Sequence, residues 1–373
     1  MASRFRLLTQ RIILFFTILT VVCYLVVCLL AYADAGNWWL VTALVLLFPL
    51  LVLMLIIFLI FWLFQKKKIA LIVLLLLMAG WKSVTVLFAF HPPAVFHQEK
   101  NAGVLRVVTW NVARFIELKR NDNQGSKIRA QMMEQLQQQQ ADVLCLQEFF
   151  TSNNPGYYNN IRYIQQELGY PYYYFSYDED GKNSFYSSVI FSRLPIVDTE
   201  KLYFPRPGLS EALLRADVKF NGDTVSIFTT HLQSVQFRKT DYDKIEKIQT
   251  GQDSLLQNSK TILAKLKLAA AYRHQQARVV QQTMQKYPHP KIFMGDLNDV
   301  PASYTYFTVR SGMRDAFLER GTGLGRTFAG ISPTLRIDYV FTDPRFTVQQ
   351  FNRVVKKLSD HYMLVADLQL AQE

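Results

Sequence analysis

Two long uncharged apolar runs near the N-terminus constrain this chain more than any other feature. Ile12 to Ala33 is 22 residues without a charge, and Trp38 to Phe64 is 27 more. Since about 20 apolar residues cross the hydrocarbon core of a bilayer as a helix, each run is long enough to span one. A third stretch, Ile69 to Phe90, is interrupted only by Lys82. A charge in mid-membrane is costly, but Lys82 is close enough to the end of the stretch to snorkel toward the interface. The first run is longer than the roughly 7–15 apolar residues of a signal peptide, and a second run follows it. The sequence therefore predicts an integral, multi-pass transmembrane anchor over residues 1–90, with spans near 12–33, 38–64 and 69–90.

Charge divides the chain at the same place. Residues 1–90 hold eight charged residues: Arg4, Arg6, Arg11, Asp34, Lys66, Lys67, Lys68 and Lys82. The other 62 lie in 91–373, as 34 basic and 28 acidic, so each part contributes +6 of the total +12. A uniform soluble globule, a disordered chain and a disulfide scaffold are all excluded. Basic residues flank the first span on its N-terminal side and the second on its C-terminal side, and Asp34-Ala35-Gly36-Asn37 between them has none. The positive-inside rule places both flanks, and the N-terminus, in the cytoplasm. Three spans would export everything after residue 90, whereas two would leave it in the cytoplasm.

After His91-Pro92-Pro93 a linker runs to about residue 102, and the rest, 103–371, alternates strand-like and helix-like segments. Val104–Trp110, Val143–Leu146, Ser187–Ser192, Ala212–Phe220, Thr224–Thr230, Lys291–Gly295, Ile337–Thr342 and Met363–Leu368 read as strands. Asn221-Gly222 marks a hairpin between two of them. Lys127–Gln140 carries Ile128, Met132 and Leu136 at helical spacing, and Ile161–Leu168 and Ser254–Lys286 also read as helix. Mixed strands and helices with a tight hairpin predict a layered α/β domain.

Several of these strands end in a polar residue able to hold a metal or a phosphate. The segments are Thr109-Trp110-Asn111, Leu146-Gln147-Glu148, Thr229-Thr230-His231, Gly295-Asp296-Leu297-Asn298 and Ser359-Asp360-His361, with Asp338 opening a sixth in Arg336-Ile337-Asp338-Tyr339. Singly, an Asp or Asn after a strand is more often a turn residue than a ligand. Together they offer carboxylates, amides and imidazoles without thiolates, a donor set for Mg²⁺ or Mn²⁺. No CxxC or Cys/His spacing points to zinc, and no nucleophile elbow, Walker loop or HExxH is present.

The order TWN, LQE, TTHL, GDLN, RIDYVF, SDH resembles the endonuclease/exonuclease/phosphatase superfamily, the deoxyribonuclease I-like fold, over about residues 103–370. That resemblance implies a four-layered α-β-β-α sandwich and metal-dependent hydrolysis of phosphate esters by in-line water attack. It implies Glu148 as the main metal ligand, helped by Asn111 and Asp360. Asp296 would position or deprotonate the water, and Asn298 would orient the nucleophile or the scissile phosphate. His231 and His361 would contact phosphate oxygens, with Asp338 orienting His361, and Arg193 would join Asn298 and His231 in binding substrate.

The chain departs from that pattern at three places. Ser187-Ser188 stands where relatives often have Gly. Ala113 and Arg114 replace a second acid after the asparagine, which weakens the case for a second metal. Sixty-four residues separate His231 from Asp296, and Phe237–Lys260 within them reads as a solvated helical insertion or a substrate-selecting arm. The leading expectation is a membrane-anchored nuclease, since an excess of +6 on residues 91–373 permits a polyanionic substrate and Tyr172–Tyr174 could stack bases. Phospholipid or phosphoinositide headgroups are the alternative. A binding module without activity has no need of all these polar groups together.

Overall fold

The computed structural model describes residues 2–371 except 35–38, 122–123, 125–126, 182, 206–211, 238–239, 242–254 and 331. It divides into two compact units. One comprises residues 1–87, 234–274 and 300–308; the other comprises 88–233, 275–299 and 309–373. Most of the 237–260 insertion lies outside the described residues.

In the first unit, the helices Ala2–Leu30 and Phe48–Gln65 are long and apolar enough to cross a membrane. The predicted 38–64 span is two helices, because Trp39–Leu46 ends before Pro49, which sits in the first turn of the next one. The predicted third span is not supported. Lys67–Ala79 and Trp81–Thr85 are separate helices of 13 and 5 residues, broken at Gly80. A Cβ on Gly80 would lie 2.1 Å from the Tyr24 hydroxyl, and that hydroxyl donates to the Leu77 carbonyl at 2.7 Å. The exported orientation expected from three spans loses its basis with them.

The helices bury a few polar groups among apolar ones and leave many apolar side chains exposed. Trp62 Nε1 donates to a buried Thr17 hydroxyl at 3.0 Å, while Phe15, Leu29, Ile57 and Phe64 are exposed. Two later segments join this unit instead of following the contiguous division expected from sequence. His274 Nδ1 lies 3.0 Å from an Asp34 carboxylate oxygen, and the Tyr32 ring stacks on Phe307 at 4.8 Å.

The second unit holds two six-stranded sheets. Its strands are β1 (Ala89–Phe90), β2 (Val104–Asn111), β3 (Val143–Ser152), β4 (Tyr172–Phe175), β5 (Ser184–Ser192), β6 (Ile196–Tyr203) and β7 (Ala212–Phe220). They continue as β8 (Asp223–His231), β9 (Lys291–Asp296), β10 (Arg314–Asp315), β11 (Thr322–Gly323), β12 (Asp338–Thr342), β13 (Phe346–Val354) and β14 (Met363–Leu370). One sheet runs β13-β14-β2-β3-β5-β4 and the other β10-β12-β9-β8-β7-β6, while β1 pairs with β11. Within the sheets β2–β3 and β8–β9 are parallel and the remaining pairs antiparallel. Asn221 and Gly222 both take positive φ (50° and 91°), the backbone that a two-residue hairpin requires.

Period-two alternation sorts each strand into faces. Leu105 and Val107 of β2 and Val143 and Cys145 of β3 meet Ile227, Ile292, Met294 and Val340 in the core between the sheets. Val108, Trp110, Leu144 and Leu146 face outward onto Met132, Leu136 and Ile164 of the helices Ile128–Gln139 and Asn160–Gln166. This is the expected sandwich.

Candidate active site

The same parity that builds the inter-sheet core delivers the polar groups. Following the inner face of β2 past Leu105 and Val107 leads to Thr109 and Asn111. The inner face of β3 leads to Gln147, that of β8 past Ile227 to Thr229 and His231, and that of β9 past Met294 to Asp296. In the register, Asn111 pairs with Gln147, His231 with Asp296, and Asp296 with Asp338. Parallel pairing puts the C-terminal ends of β2 and β3, and of β8 and β9, on a common side, so the polar ends converge.

At the centre is the fully buried carboxylate of Asp296. Its Oδ1 accepts the Asn298 backbone N–H at 2.7 Å. Its Oδ2 accepts Asn111 Nδ2 at 3.1 Å and faces His231 Nε2 at 3.5 Å and His361 Nε2 at 3.7 Å. Asn111 Nδ2 also donates to Glu148 Oε1 at 3.2 Å, and His231 Nε2 lies 3.8 Å from that oxygen. Glu148 takes φ +49° where the β3–β5 register shifts, and its side chain is 28% exposed, so it presents a carboxylate to solvent. Asn298 also has positive φ, +50°, and its side chain donates to the Leu232 carbonyl at 3.0 Å.

His361 is buried, with Nδ1 donating to Asp338 at 2.9 Å. Trp110 Nε1 holds the His361 carbonyl at 2.9 Å. Desolvation works against a charge on His361. The carboxylates of Asp338 and Asp296 and the hydrogen bond to Asp338 outweigh it, and the imidazolium pKa is pushed up to about 10. Burial, then the charge of Asp338, raises Asp296 to about 6, against the opposing pull of His361 and His231. Metal-free protein should therefore hold His361 protonated through neutral pH, which NMR titration of the imidazole can check. Since the folded pKa lies above the ordinary 6.5, the stability from His361 is present below pH 6.5 and lost as pH rises through about 10. Asp338→Asn should bring the titration down.

Sequence reasoning missed Gln147. Fully buried, its Nε2 donates to the Thr109 hydroxyl at 3.1 Å and the Thr229 hydroxyl at 3.0 Å, joining the two sheets beneath the site. Its parity with Val143 and Cys145 was the available signal. Gly295 is a second such residue, because a Cβ there would lie 2.3 Å from the Thr230 carbonyl oxygen on the neighbouring strand. Gly295→Ala should cost about 1–3 kcal/mol through overpacking. It should also spread His231 from Asp296 and lower kcat/KM by up to about 10²-fold. Activity and urea midpoint at parent values would refute this.

Two expected site residues are placed otherwise. Arg193 is not brought to the cluster. It follows β5, whose Ser192 pairs with Val143 at the opposite end of β3, and it lies against the Leu168 carbonyl and the Tyr170 ring. Asp360 is exposed, and its carboxylate accepts from Ser359 Oγ at 3.2 Å. Asp296, Asp338 and His361 offer ligand-capable atoms within 4.8 Å of one another, but the His361–Asp338 hydrogen bond already engages two of them. Carboxylate oxygens of the partly exposed Glu148 and the buried Asp296 meet at the Asn111 amide without a thiolate, a donor chemistry that fits a hard divalent cation.

Residues 108–361, more than half of the chain, match the model of the Endonuclease/Exonuclease/phosphatase family. The chain belongs to this family. Residues 10–87 match the model of a domain of unknown function (DUF8431). An endonuclease/exonuclease/phosphatase from Beutenbergia cavernae is 22% identical, with 72% of each chain covered and a TM-score of 0.51. A D. rerio TDP2 humanized by 14 mutations is 20% identical, covering 72% of this chain and 99% of that one, with a TM-score of 0.50. At such identities the likeness establishes the fold alone. No curated protein matches the chain.

Proposed function

We propose that this family member is a membrane-anchored, divalent-metal-dependent phosphodiesterase acting on nucleic acid. The observation that carries the reading is the convergence of Asp296, Asn298, His231, His361–Asp338, Glu148 and Asn111 at the strand ends of both sheets. Asp296, ionised above pH about 6, accepts a proton from the attacking water at Oδ2. Asn298, held by Asp296 and Leu232, orients that water or the phosphate. His231 and the imidazolium of His361 present Nε2 to phosphate oxygens, and Asp338 fixes the His361 ring and keeps it charged. Mg²⁺ or Mn²⁺ at Glu148 and Asn111 would neutralise phosphate charge and polarise the phosphorus–oxygen bond. The +6 excess on residues 91–373 favours a polyanion.

The two long apolar helices support membrane anchoring. Arg6 and Gln10 both donate to the Gln65 side chain, at 3.0 and 3.2 Å, which puts the basic flanks at one end of the pair. With two crossings that end, and the catalytic residues after it, face the cytoplasm. A C-terminal alkaline phosphatase fusion should therefore be inactive, and an active one would refute this orientation. The same helices favour a second reading, a phospholipid headgroup as substrate.

The test uses the full chain in detergent on bis(p-nitrophenyl) phosphate, single-stranded DNA, RNA, sphingomyelin and phosphoinositides. Hydrolysis of the diester and of nucleic acid in Mg²⁺ or Mn²⁺, abolished by EDTA and restored by the metal, is expected. EDTA-insensitive turnover would refute metal dependence, and lipid-only turnover would refute the nucleic-acid substrate.

A further inference from the structure

A cavity of about 590 Å³ opens beside the candidate site, within the size range of small-molecule sites. Ile116, Ile128 and Leu358 supply apolar lining, and Arg326 and Lys357 bring two cations to it. Ser359 in its wall ties it to the end of β2, where the hydroxyl donates to the Asn111 main-chain carbonyl at 2.8 Å. Lys357 is exposed. Arg326 is braced through Nε on the Phe328 carbonyl at 2.7 Å. A third cation, Arg353, lies over the Tyr362 ring close by. Burial, with a smaller contribution from repulsion by Arg326, disfavours its charge.

The backbone beside this cavity is unusual. Ala113, Arg114, Phe115 and Ile116 all take positive φ, 43°, 58°, 58° and 63°, immediately after the site strand. A β-branched residue at positive φ, as Ile116 is, is a clear outlier, and such strain persists where surrounding structure enforces it. Here the turn begins with the Ala113 N–H on Asn111 Oδ1 at 3.1 Å. It ends by presenting Ile116, 51% exposed, to the cavity.

We propose that this cavity is a substrate subsite that seats the nucleotide unit adjoining the scissile phosphate. Ile116, Ile128 and Leu358 take its sugar and base, and Lys357 and Arg326 take the next phosphate. An apolar floor beside cations matches a chain in which each π-faced base is followed by another anion. A substrate with one phosphate leaves the cationic side unused. The assignment rests on the phosphodiesterase reading above and adds the requirement for a second phosphate.

The test is binding of fluorescein-labelled hexathymidylate to the full-length Asp296→Asn chain in detergent with Mg²⁺, followed by anisotropy. Adding Lys357→Glu should weaken binding at least tenfold and lower the salt slope by about one unit. Adding Ile116→Asn, which replaces the apolar contact by a polar side chain of similar length, should weaken it at least threefold. Both double variants binding within twofold of Asp296→Asn would overturn the subsite. Turnover of bis(p-nitrophenyl) phosphate by the unmutated chain separates the two ideas. If that diester is hydrolysed while hexathymidylate neither binds nor is cut, the subsite falls and the phosphodiesterase stands. If neither compound is hydrolysed in Mg²⁺ or Mn²⁺, both fall together.

Discussion

Replacing Asp296 by Asn should lower kcat roughly 10²–10⁴-fold, the usual contribution of a positioned general base. The substitution keeps the shape of the side chain and can keep the hydrogen bond from the Asn298 N–H to Oδ1. It removes the negative oxygen that faces Asn111, His231 and His361. The pH profile separates this from a merely structural loss. In the parent, activity should rise as Asp296 ionises, with a limb near pH 6 set by its burial and by Asp338. In the variant that limb should vanish. A variant retaining more than a tenth of parent kcat, or the same limb, would remove Asp296 from the role of base.

Replacing Arg106 by Met should destabilise the fold by about 3–5 kcal/mol, because it leaves Asp367 buried without its counter-charge. The Arg106 side chain is fully buried and that of Asp367 is 2% exposed. Nε and Nη2 of the arginine reach the two carboxylate oxygens at 2.7 and 2.8 Å, a bidentate pair across β2 and β14. The same guanidinium donates to the carbonyls of His97 and Gln98, so the linker after residue 90 is fastened to the sheet. The double variant Arg106→Met/Asp367→Leu should recover most of the loss, since neither charge then remains buried. Urea denaturation monitored by tryptophan fluorescence measures both. Equal losses in the single and double variants would place the cost in the lost linker contacts instead.

Much of this architecture was legible because its central strands are buried on both faces and read as apolar runs ending in chemistry. Val104–Trp110, Thr224–Thr230 and Lys291–Gly295 each came within a few residues of the observed strand. Besides the two-residue strands β1, β10 and β11, the strands missed, β4, β6 and β13, are edges of the two sheets, where one side lacks a partner and mixed exposure blurs the alternation. Tyr172–Tyr174, taken as a possible stacking surface, belongs to β4, and Tyr173 and Tyr174 pack against the two cores. Arg193 shows why a motif at a strand's end does not say which end. β5 runs antiparallel to β3, so the residue after it emerges away from Glu148. The division into units was invisible for a different reason. Contacts such as Asp34 with His274 join positions 240 apart in sequence, and no local pattern announces them.

The parallel pairs β2–β3 and β8–β9 have a kinetic consequence. Neither can close as a hairpin, and the Asn111–Asp296 hydrogen bond joins residues 185 apart. Topologies dominated by such distant pairings fold slowly. A chain with only the β2–β3 sheet complete has Glu148 and Asn111 without a base, and one with only the β8–β9 sheet has Asp296 and His231 without Glu148. On the proposed reading an immature copy should be inert toward phosphate esters, and in refolding experiments regained hydrolysis should trail regained strand content.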